Sequence, residues 1–395
     1  MEKTIDFKGN SKEMSHTNIS HKEKFILMIL LTLLSTLLFG CKHTNADNSK
    51  TLINLSDKIQ EEINHSGKVS SNMKDSYYAE NILLPEDYLE IDSLKIQGNE
   101  KNPLFYAKTV KKPKRHLLVK NCIFDTYLYN QFGYTAFLSV INSKFSNATG
   151  TAAGQGYGLL IGHTARGEVR NCFFYNNQRH ALYAGECNNL TIDGNIFYRH
   201  RYGFGTGVFL SALNVARGSK NITVLNNKFI ECESLAMNIS TDNLNTPTLV
   251  ENIAIHDNLF YKSVGKDLKL GQSKTATDEI NIKNIHIYNN TFFNEEMGCA
   301  SVIVFNGENI VIENNNFTKT GNNIIVIDNT NNQLKNITIK NNTFDGNYDN
   351  AIFISKKALN GTCKINIEKN RYIGCGKSVG LEKNTCANPN VYITY

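Results

Sequence analysis

The residues of this sequence best suited to proton transfer and to holding negative charge lie close together, between Gln155 and Arg217. Elsewhere the surface positions are mostly Asn, Thr and Lys, whereas this segment is rich in Arg, His and Tyr. Six of these residues are candidate catalytic groups: His163, Arg179, His180, Tyr183, His200 and Arg201. Four more residues are candidate substrate-binding groups: Arg166, Phe209, Arg217 and Asn238.

These residue types would suit β-elimination at a uronic acid. The C5 proton of a uronate becomes removable only when its carboxylate is neutralised, a role that suits Arg179 and Arg201. A His or Tyr whose pKa is lowered by neighbouring Arg would then take the proton. In this hypothesis His180 is the base or its partner, Tyr183 is the acid, and the other two histidines are further candidates.

Two other functions remain open on the same residues. Outward aromatic and Arg side chains also bind sugars by stacking, without catalysis, so a glycan-binding or adhesive protein would look alike. A hydrolase or epimerase is the third hypothesis. The paired carboxylates of a glycosidase are not evident in the sequence.

A repeat that runs through most of the chain must position these residues. Each unit has an alternating β-type segment, then Asn-Asn or a similar pair, then Phe, at steps of 21 to 32 residues, and a period of this size indicates a stacked solenoid. Asn accepts the left-handed backbone of a tight corner, and stacked Asn amides form a ladder. The aromatic positions are Phe124, Phe145, Phe173, Phe197, Phe229, Phe260, Phe292, Phe317, Phe344 and Tyr372.

The register of a second type of strand predicts which side chains point outward. Aligning GLLIG, ALYAG, GVFLS and AMNIS gives one apolar, inward face: Leu159, Leu182, Val208 and Met237. Tyr183 then points outward, with Arg179 and His180 at the entrance of its strand and His163 just past the exit of the preceding strand. The outward row would be Leu160, Tyr183, Phe209 and Asn238.

The repeat resembles the pectate-lyase-like superfamily of right-handed parallel β-helices, over about residues 115–380. The block Arg179 to Tyr183 (RHALY) resembles a short element of exported bacterial β-helix proteins, many of them polysaccharide lyases or uncharacterised relatives. The resemblance implies an all-β fold of about ten coils with an N-terminal cap. It makes calcium compatible with the site, although no tight Asp/Glu cluster is present and no metal ligand is assigned. The diagnostic blocks of polygalacturonases and of the best-known Trp-containing pectate lyases are absent.

The N-terminus predicts export and a lipid anchor. Lys22 and Lys24 precede an apolar run over 25–39 that is too short for a membrane span, and Gly40-Cys41 resembles a bacterial lipobox, which implies lipidation of Cys41. We therefore expect a signal peptide at 1–40, a tether at 41–75, an N-terminal cap at 76–114, the β-helix at 115–380 and a C-terminal cap at 381–395. Lys42 after the lipid Cys favours the outer membrane or the cell surface.

Composition and cysteine spacing exclude other classes. The net charge of +6 over 395 residues favours an acidic partner such as a polysaccharide, and it is too small for a nucleic-acid-binding surface. The eight cysteines beyond Cys41 match no zinc-site spacing, and small interior stacking residues are the expected role of Cys122 and Cys172. Cys375 and Cys386 are the first pair to test for a disulfide. We expect a monomer.

Overall fold

The chain is a right-handed parallel β-helix of about ten coils, as the repeat predicts. The computed structural model describes residues 55–70, 77–150, 154–200, 211–241, 248–272, 279–294, 300–319, 321–328, 334–346, 348–359, 363–374, 376–382 and 391–394. In these residues three long sheets form the walls of a tube, and every strand pair is parallel. The helices are α1 (Ser56–Ser66) and α2 (Lys356–Leu359).

The strands are numbered in chain order and fall into sheets by wall. The thirteen-stranded sheet contains β1 (Lys68–Ser70), β4 (Tyr88–Asp92), β7 (Arg115–Lys120), β10 (Thr135–Ile141), β13 (Gly167–Arg170), β16 (Asn188–Asp193), β19 (Lys220–Leu225), β22 (Val250–His256), β25 (Ile282–Tyr288), β28 (Gly307–Glu313), β31 (Leu334–Lys340), β34 (Ile365–Glu368) and β37 (Val391–Thr394). The twelve-stranded sheet contains β2 (Tyr77–Tyr78), β5 (Lys95–Gln97), β8 (Ile123–Tyr127), β11 (Lys144–Ala148), β14 (Phe173–Tyr175), β17 (Ile196–Tyr198), β20 (Lys228–Ile230), β23 (Leu259–Tyr261), β26 (Thr291–Asn294), β29 (Asn316–Lys319), β32 (Thr343–Asp345) and β35 (Arg371–Ile373). The ten-stranded sheet contains β9 (Tyr129–Gln131), β12 (Tyr157–Gly162), β15 (His180–Gly185), β18 (Ser211–Ala216), β21 (Leu235–Ser240), β24 (Leu268–Leu270), β27 (Val302–Val304), β30 (Gly321–Ile327), β33 (Tyr348–Ile354) and β36 (Lys377–Leu381). A small sheet pairs β3 (Ile82–Leu83) with β6 (Phe105–Tyr106).

The predicted asparagine ladder is confirmed at the corner between the thirteen- and twelve-stranded sheets. Its amides are buried, and each receives a hydrogen bond from the preceding coil, as from Asn227 Nδ2 to Asn258 Oδ1 at 3.1 Å. The residue just before the ladder position takes the left-handed backbone, as at Asn226 and Asp257. Cys122 and Cys172 lie at the same corner, buried, so their predicted role as small interior residues holds.

A stack of aromatic rings runs along the interior of the tube, as predicted. Most successive rings are nearly parallel, with centroids 4.6 Å apart between Phe260 and Phe292. One member differs from the prediction: Phe174, not Phe173, joins the stack, because strand pairing aligns Phe174 with Phe145. Two adjacent Phe residues make this position ambiguous in the sequence, and only the register resolves it.

The predicted register is wrong for one strand of the ten-stranded sheet. The paired segment is β18, which begins at Ser211, the last residue of GVFLS, so Leu213 aligns with Leu182 and Met237 in place of Val208. Asn214, not Phe209, is therefore the outward neighbour of Tyr183. The error has a simple cause: both segments alternate apolar residues at period two, and the alternation alone cannot choose between them.

Helix α1 packs against the first coil through Ile59 and Ile63, which are one helical turn apart and buried. Its Gln60 amide donates to the carbonyl of Leu83 at 3.1 Å and accepts from the Leu83 N–H at 2.8 Å, which satisfies the backbone of an edge strand. Strands of the long sheets extend from Lys68 to Thr394. The domain limits given above stay predictions, and Cys41, Cys375 and Cys386 lie outside the described residues.

Candidate functional site

The outer face of the ten-stranded sheet differs from the other walls of the tube. In β15, β18 and β21 every residue is buried, including those that point away from the interior. The thirteen-stranded sheet instead alternates buried and part-exposed positions, as in β22. A sheet face that is shielded from water although it carries polar side chains is where a ligand site would gain most from electrostatics.

A cluster of three rings occupies this face, formed by Tyr157, His180 and Tyr183 and called here the ring cluster. The Tyr157 and His180 rings stack with centroids 5.3 Å apart, and the Tyr183 ring lies 5.5 Å from Tyr157 and 5.7 Å from His180. Tyr157 and His180 are register partners in β12 and β15, and Tyr183 lies three residues further along β15. Tyr183 and His180 therefore lie together, as the sequence predicts.

Two guanidinium groups flank the ring cluster from opposite ends of the strands. The Cζ of Arg179 lies 5.9 Å from the centre of the Tyr157 ring, and that of Arg217 lies 6.0 Å from the centre of the Tyr183 ring. Arg179 precedes β15 and Arg217 follows β18, so one cation is at each end of the wall. The face thus combines aromatic surface with positive charge, which is the composition needed to bind an anion that also has apolar C–H faces.

His180 is neutral at physiological pH. Its Nδ1 lies 3.1 Å from the carbonyl oxygen of Ser211 and 3.3 Å from the Ser211 N and Oγ. Burial lowers the pKa of His180 to about 3; the Ser211 carbonyl raises this pKa, and the charge of Arg179 lowers it further. The predicted effect of Arg is present, but burial dominates. An imidazole of such low basicity is a weak proton acceptor at pH 7.

Gly185 leaves room for the ring of Tyr183. A Cβ at Gly185 would lie 2.6 Å from Cε1 and 2.9 Å from the hydroxyl oxygen of Tyr183, so the Tyr183 ring lies directly over this glycine. A larger side chain at this position would displace the Tyr183 ring from its present place. Sequence reasoning missed Gly185, although a glycine two residues after an outward aromatic on the same strand face is a recognisable signal for such a contact.

A buried polar row continues from Tyr183 across the next coils. Strand pairing aligns Tyr183 with Asn214, Asn238 and Lys269. Asn238 Nδ2 donates to Asn214 Oδ1 at 2.9 Å and to Ser240 Oγ at 3.0 Å, and the two Asn side chains are fully buried. The predicted outward position of Asn238 is confirmed by this pairing. Asn214 and Lys269 were missed, the first because of the register error.

Two of the predicted residues, His163 and Arg166, lie elsewhere, and a third, His200, lies near the ring cluster. His163 is at the far end of β12, where its Nδ1 pairs with Glu186 Oε2 at 2.7 Å; six residues separate it from the Tyr157 row, or roughly 20 Å along a strand. His200 is buried near His180, and burial first, then His180, lowers its pKa to about 3. Arg166 lies over Phe137 on the thirteen-stranded sheet, with Cζ 5.5 Å from the ring centre.

The remaining predictions concern Arg201, Phe209 and a metal ion. Arg201 and Phe209 lie outside the described residues. In the described ranges, no three His, Cys, Asp or Glu side chains lie close enough to hold a metal ion. The steps proposed below involve no metal.

Comparison with known proteins confirms the fold. Residues 127–266 match the family model described as "Right handed beta helix region". No curated protein matches the chain in sequence. The described part of the chain contains no helix that is long and apolar enough to cross a membrane.

Several solved structures share this architecture. PfbA, a surface adhesin of Streptococcus pneumoniae, has a TM-score of 0.59 at 12% identity and covers 82% of this chain and 86% of its own. Polygalacturonase from Erwinia carotovora ssp. carotovora has a TM-score of 0.53 at 12% identity and covers 88% of this chain and 95% of its own. The A-module of the mannuronan C-5 epimerase AlgE4 from Azotobacter vinelandii has a TM-score of 0.52 at 13% identity and covers 87% of this chain and 96% of its own. The pectate-lyase-like resemblance is confirmed for the fold, which hosts both an adhesin and polysaccharide-acting enzymes.

Proposed function

We propose that this chain is an exported protein that holds an acidic polysaccharide on the outer face of the ten-stranded sheet and cleaves it by β-elimination. The observation that carries the proposal is the ring cluster with Arg179 and Arg217 at its two ends. Anchoring through a lipid on Cys41, a position at the outer membrane or cell surface, and a monomeric state belong to the same proposal.

The cations would neutralise the uronate. Arg217 lies 6.0 Å from the Tyr183 ring, so a carboxylate bound by its guanidinium places the sugar beside the phenol. Neutralisation stabilises the negative charge that develops when the C5 proton leaves, in a face that excludes water. Arg179 at the other end of the cluster would hold the carboxylate of a neighbouring sugar.

Tyr183 is the proton-transfer group of this proposal. In its deprotonated, phenolate form Tyr183 takes the proton from C5, the electron pair of the C5–H bond forms the C4–C5 double bond, and the C4–O bond breaks. The proton then returns from Tyr183 to the leaving oxygen, so atoms and charge balance. His180, neutral because its pKa is about 3, serves in this version to orient the phenol, and the role of base moves to Tyr183.

A second candidate is a glycan-binding protein without catalysis. The observation that favours it is the low basicity of His180, whose pKa is about 3. A binding face needs stacking surface and charge but no proton acceptor. The two candidates share the ligand class and differ in whether a bond is broken.

Ultraviolet absorbance of the unsaturated uronate product separates the two candidates. The purified protein is incubated with alginate, pectins and glycosaminoglycans, and we expect the absorbance to rise on one of these polymers. Tyr183→Phe abolishes this rise while leaving thermal unfolding within a few degrees of the wild type. Tyr198→Phe is the matched control, because Tyr198 also lies beneath a guanidinium, that of Arg199 at 5.0 Å, but on the twelve-stranded sheet.

Measurable binding of a polymer with no product from any of them contradicts the lyase and supports the binding protein. New reducing ends without ultraviolet absorbance indicate a hydrolase instead. A Tyr183→Phe variant with full activity would show that the site assignment is wrong, whatever the reaction.

A further inference from the structure

A second row of aromatic and cationic side chains lies on the outer face of the thirteen-stranded sheet, away from the ring cluster. Strand pairing aligns Tyr88 with His116 and His116 with Phe137. Arg166 continues the row beside Phe137. The residues that follow these two, Gly167 and Leu138, are register partners. These four residues, Tyr88, His116, Phe137 and Arg166, are called here the N-terminal strip.

The coil geometry does not require these residue types. In the following coils the same row is an exposed asparagine ladder, in which each amide donates to the preceding one, as from Asn252 to Asn221 at 2.9 Å. The register continues from Arg166 through Asn189 to the rest of that ladder: Asn221, Asn252, Asn284, Asn309 and Asn336. The row therefore changes in character between its first four coils and its later ones, which points to a role other than folding.

The strip is accessible and forms a continuous surface. Tyr88 is 50% exposed, His116 and Arg166 are exposed, and Phe137 is half-buried. The His116 and Phe137 rings have centroids 6.2 Å apart, and the Arg166 Cζ lies 5.5 Å from the centre of the Phe137 ring. Four adjacent strands at a spacing of about 4.8 Å extend over roughly 14 Å, enough for a short run of sugars.

Positive charge exceeds negative charge beside the strip. Lys111, Lys112 and Lys114, in the segment that leads into β7, are all exposed. With Arg166 they give four cations, against two exposed acids in the segment that leads into β4, Glu86 and Asp87.

The nearer acids of the sheet are paired with other cations. Glu90 forms ion pairs with Lys68 at 3.4 Å and with Lys120 at 3.0 Å. Glu168 forms an ion pair with Arg170 at 3.1 Å. The strip therefore presents aromatic surface and an excess of positive charge to a ligand.

Buried Arg115 holds the two segments that lead into this surface. Its Nε donates to the carbonyl of Pro85, just before β4, and its Nη1 donates to the carbonyl of Gly133, just before β10, at 2.7 Å. Arg115 is 1% exposed, so it acts as a positioning residue and does not face a ligand. A surface held in this way loses little freedom on binding.

We propose that the N-terminal strip is a second binding surface for acidic polysaccharide, separate from the ring cluster. The rings stack on the C–H faces of sugars, while Arg166 and the neighbouring lysines bind carboxylate or sulfate groups. The proposal shares with the proposed function only the class of ligand. It assigns Arg166, predicted as a substrate-binding residue, to this surface and not to the cleavage site.

Electrophoresis in native gels that contain polygalacturonate, alginate or chondroitin sulfate tests this surface, with amylose gels for neutral polymer. We expect the wild type to be retarded in at least one acidic gel, and His116→Ala/Phe137→Ala to weaken that retardation by about tenfold in apparent Kd. Arg166→Gln weakens it too, and added salt weakens the wild type. Tyr288→Ala, an outward aromatic on the same sheet stacked on His256 at 4.6 Å, is the control and leaves binding unchanged.

The outcomes distinguish this proposal from the proposed function. Tyr183→Phe keeps the retardation although it loses turnover, and His116→Ala/Phe137→Ala keeps turnover of short oligosaccharides. If the wild type binds but never cleaves, the lyase fails and the strip stands. No retardation in any acidic gel, equal retardation in amylose, or unchanged binding in folded Arg166→Gln and Phe137→Ala variants would overturn the strip proposal.

Discussion

Two buried histidines make the stability of this protein sensitive to mild acid. His180 and His200 are neutral in the folded state, since burial lowers the pKa of each to about 3 from an ordinary value of 6.5. The unfolded chain binds these protons near pH 6.5 and the folded chain does not. Each histidine therefore contributes stability that is fully present above pH 6.5 and is lost as the pH falls from 6.5 toward 3.

The magnitude follows from the two pKa values. Between pH 7 and pH 5 one such histidine lowers the free energy of unfolding by about 2 kcal/mol, and the pair lowers it by about 4 kcal/mol. The informative perturbation is His200→Asn. The preceding coil has Asn177 at the corresponding position. Tyr175 and Tyr198 are strand partners, and Asn177 and His200 each lie two residues after one of them.

Urea unfolding at pH 7 and at pH 5 measures this effect. We expect His200→Asn to lose about 2 kcal/mol less stability than the wild type between the two pH values. His116→Asn, which changes an exposed histidine, is the control and should follow the wild type. If His200→Asn and the wild type lose the same free energy of unfolding, His200 is protonated or exposed in the folded state and the account of this corner is wrong.

Three further predictions test the elements that position the site. Asn258→Ala removes the hydrogen bonds from the Asn258 amide to the carbonyls of Val224 and His256, both 2.9 Å, and should lower the free energy of unfolding in urea by about 3 kcal/mol. Asn252→Gly in the exposed ladder should lower it by under about 1 kcal/mol. Equal losses in the two variants would contradict the buried ladder. An alanine at 185 would place its methyl group against the Tyr183 ring, so Gly185→Ala should abolish turnover with little change in thermal unfolding, and full activity would refute the close packing. The five described cysteines are buried with raised thiol pKa, so a thiol reagent should modify them only after unfolding. Rapid modification of any of these five in the native protein, located by peptide mapping, would contradict their burial.

The sequence predicts the fold well because the fold repeats. Each coil must solve the same corner and the same interior position, so Asn and Phe recur with a period that a single sequence reveals. Both the asparagine ladder and the aromatic stack are present where this period placed them, apart from the shift from Phe173 to Phe174. The position of Arg179 and His180 at the entrance of β15 follows from the same alternation.

The composition of the site is less predictable, because it depends on which coil corner each residue occupies. Loop lengths between strands vary, so Arg166 and Tyr183 are 17 residues apart in the chain yet lie on different walls. Asn214 belongs to the outward row because β18 is the paired strand, and the alternating segment GVFLS at its start predicted a different register. Tyr157, which stacks on His180, carries no signal in the sequence that distinguishes it from other strand tyrosines.

The most direct test of the central claim is the ultraviolet absorbance of the unsaturated product, measured for the wild type, Tyr183→Phe and Tyr198→Phe on whichever acidic polysaccharide the wild type cleaves. The account predicts product from the wild type and from Tyr198→Phe at similar rates, and none from Tyr183→Phe, which unfolds at nearly the same temperature. Equal product from Tyr183→Phe, or loss of product in Tyr198→Phe alone, would contradict a catalytic site on the outer face of the ten-stranded sheet.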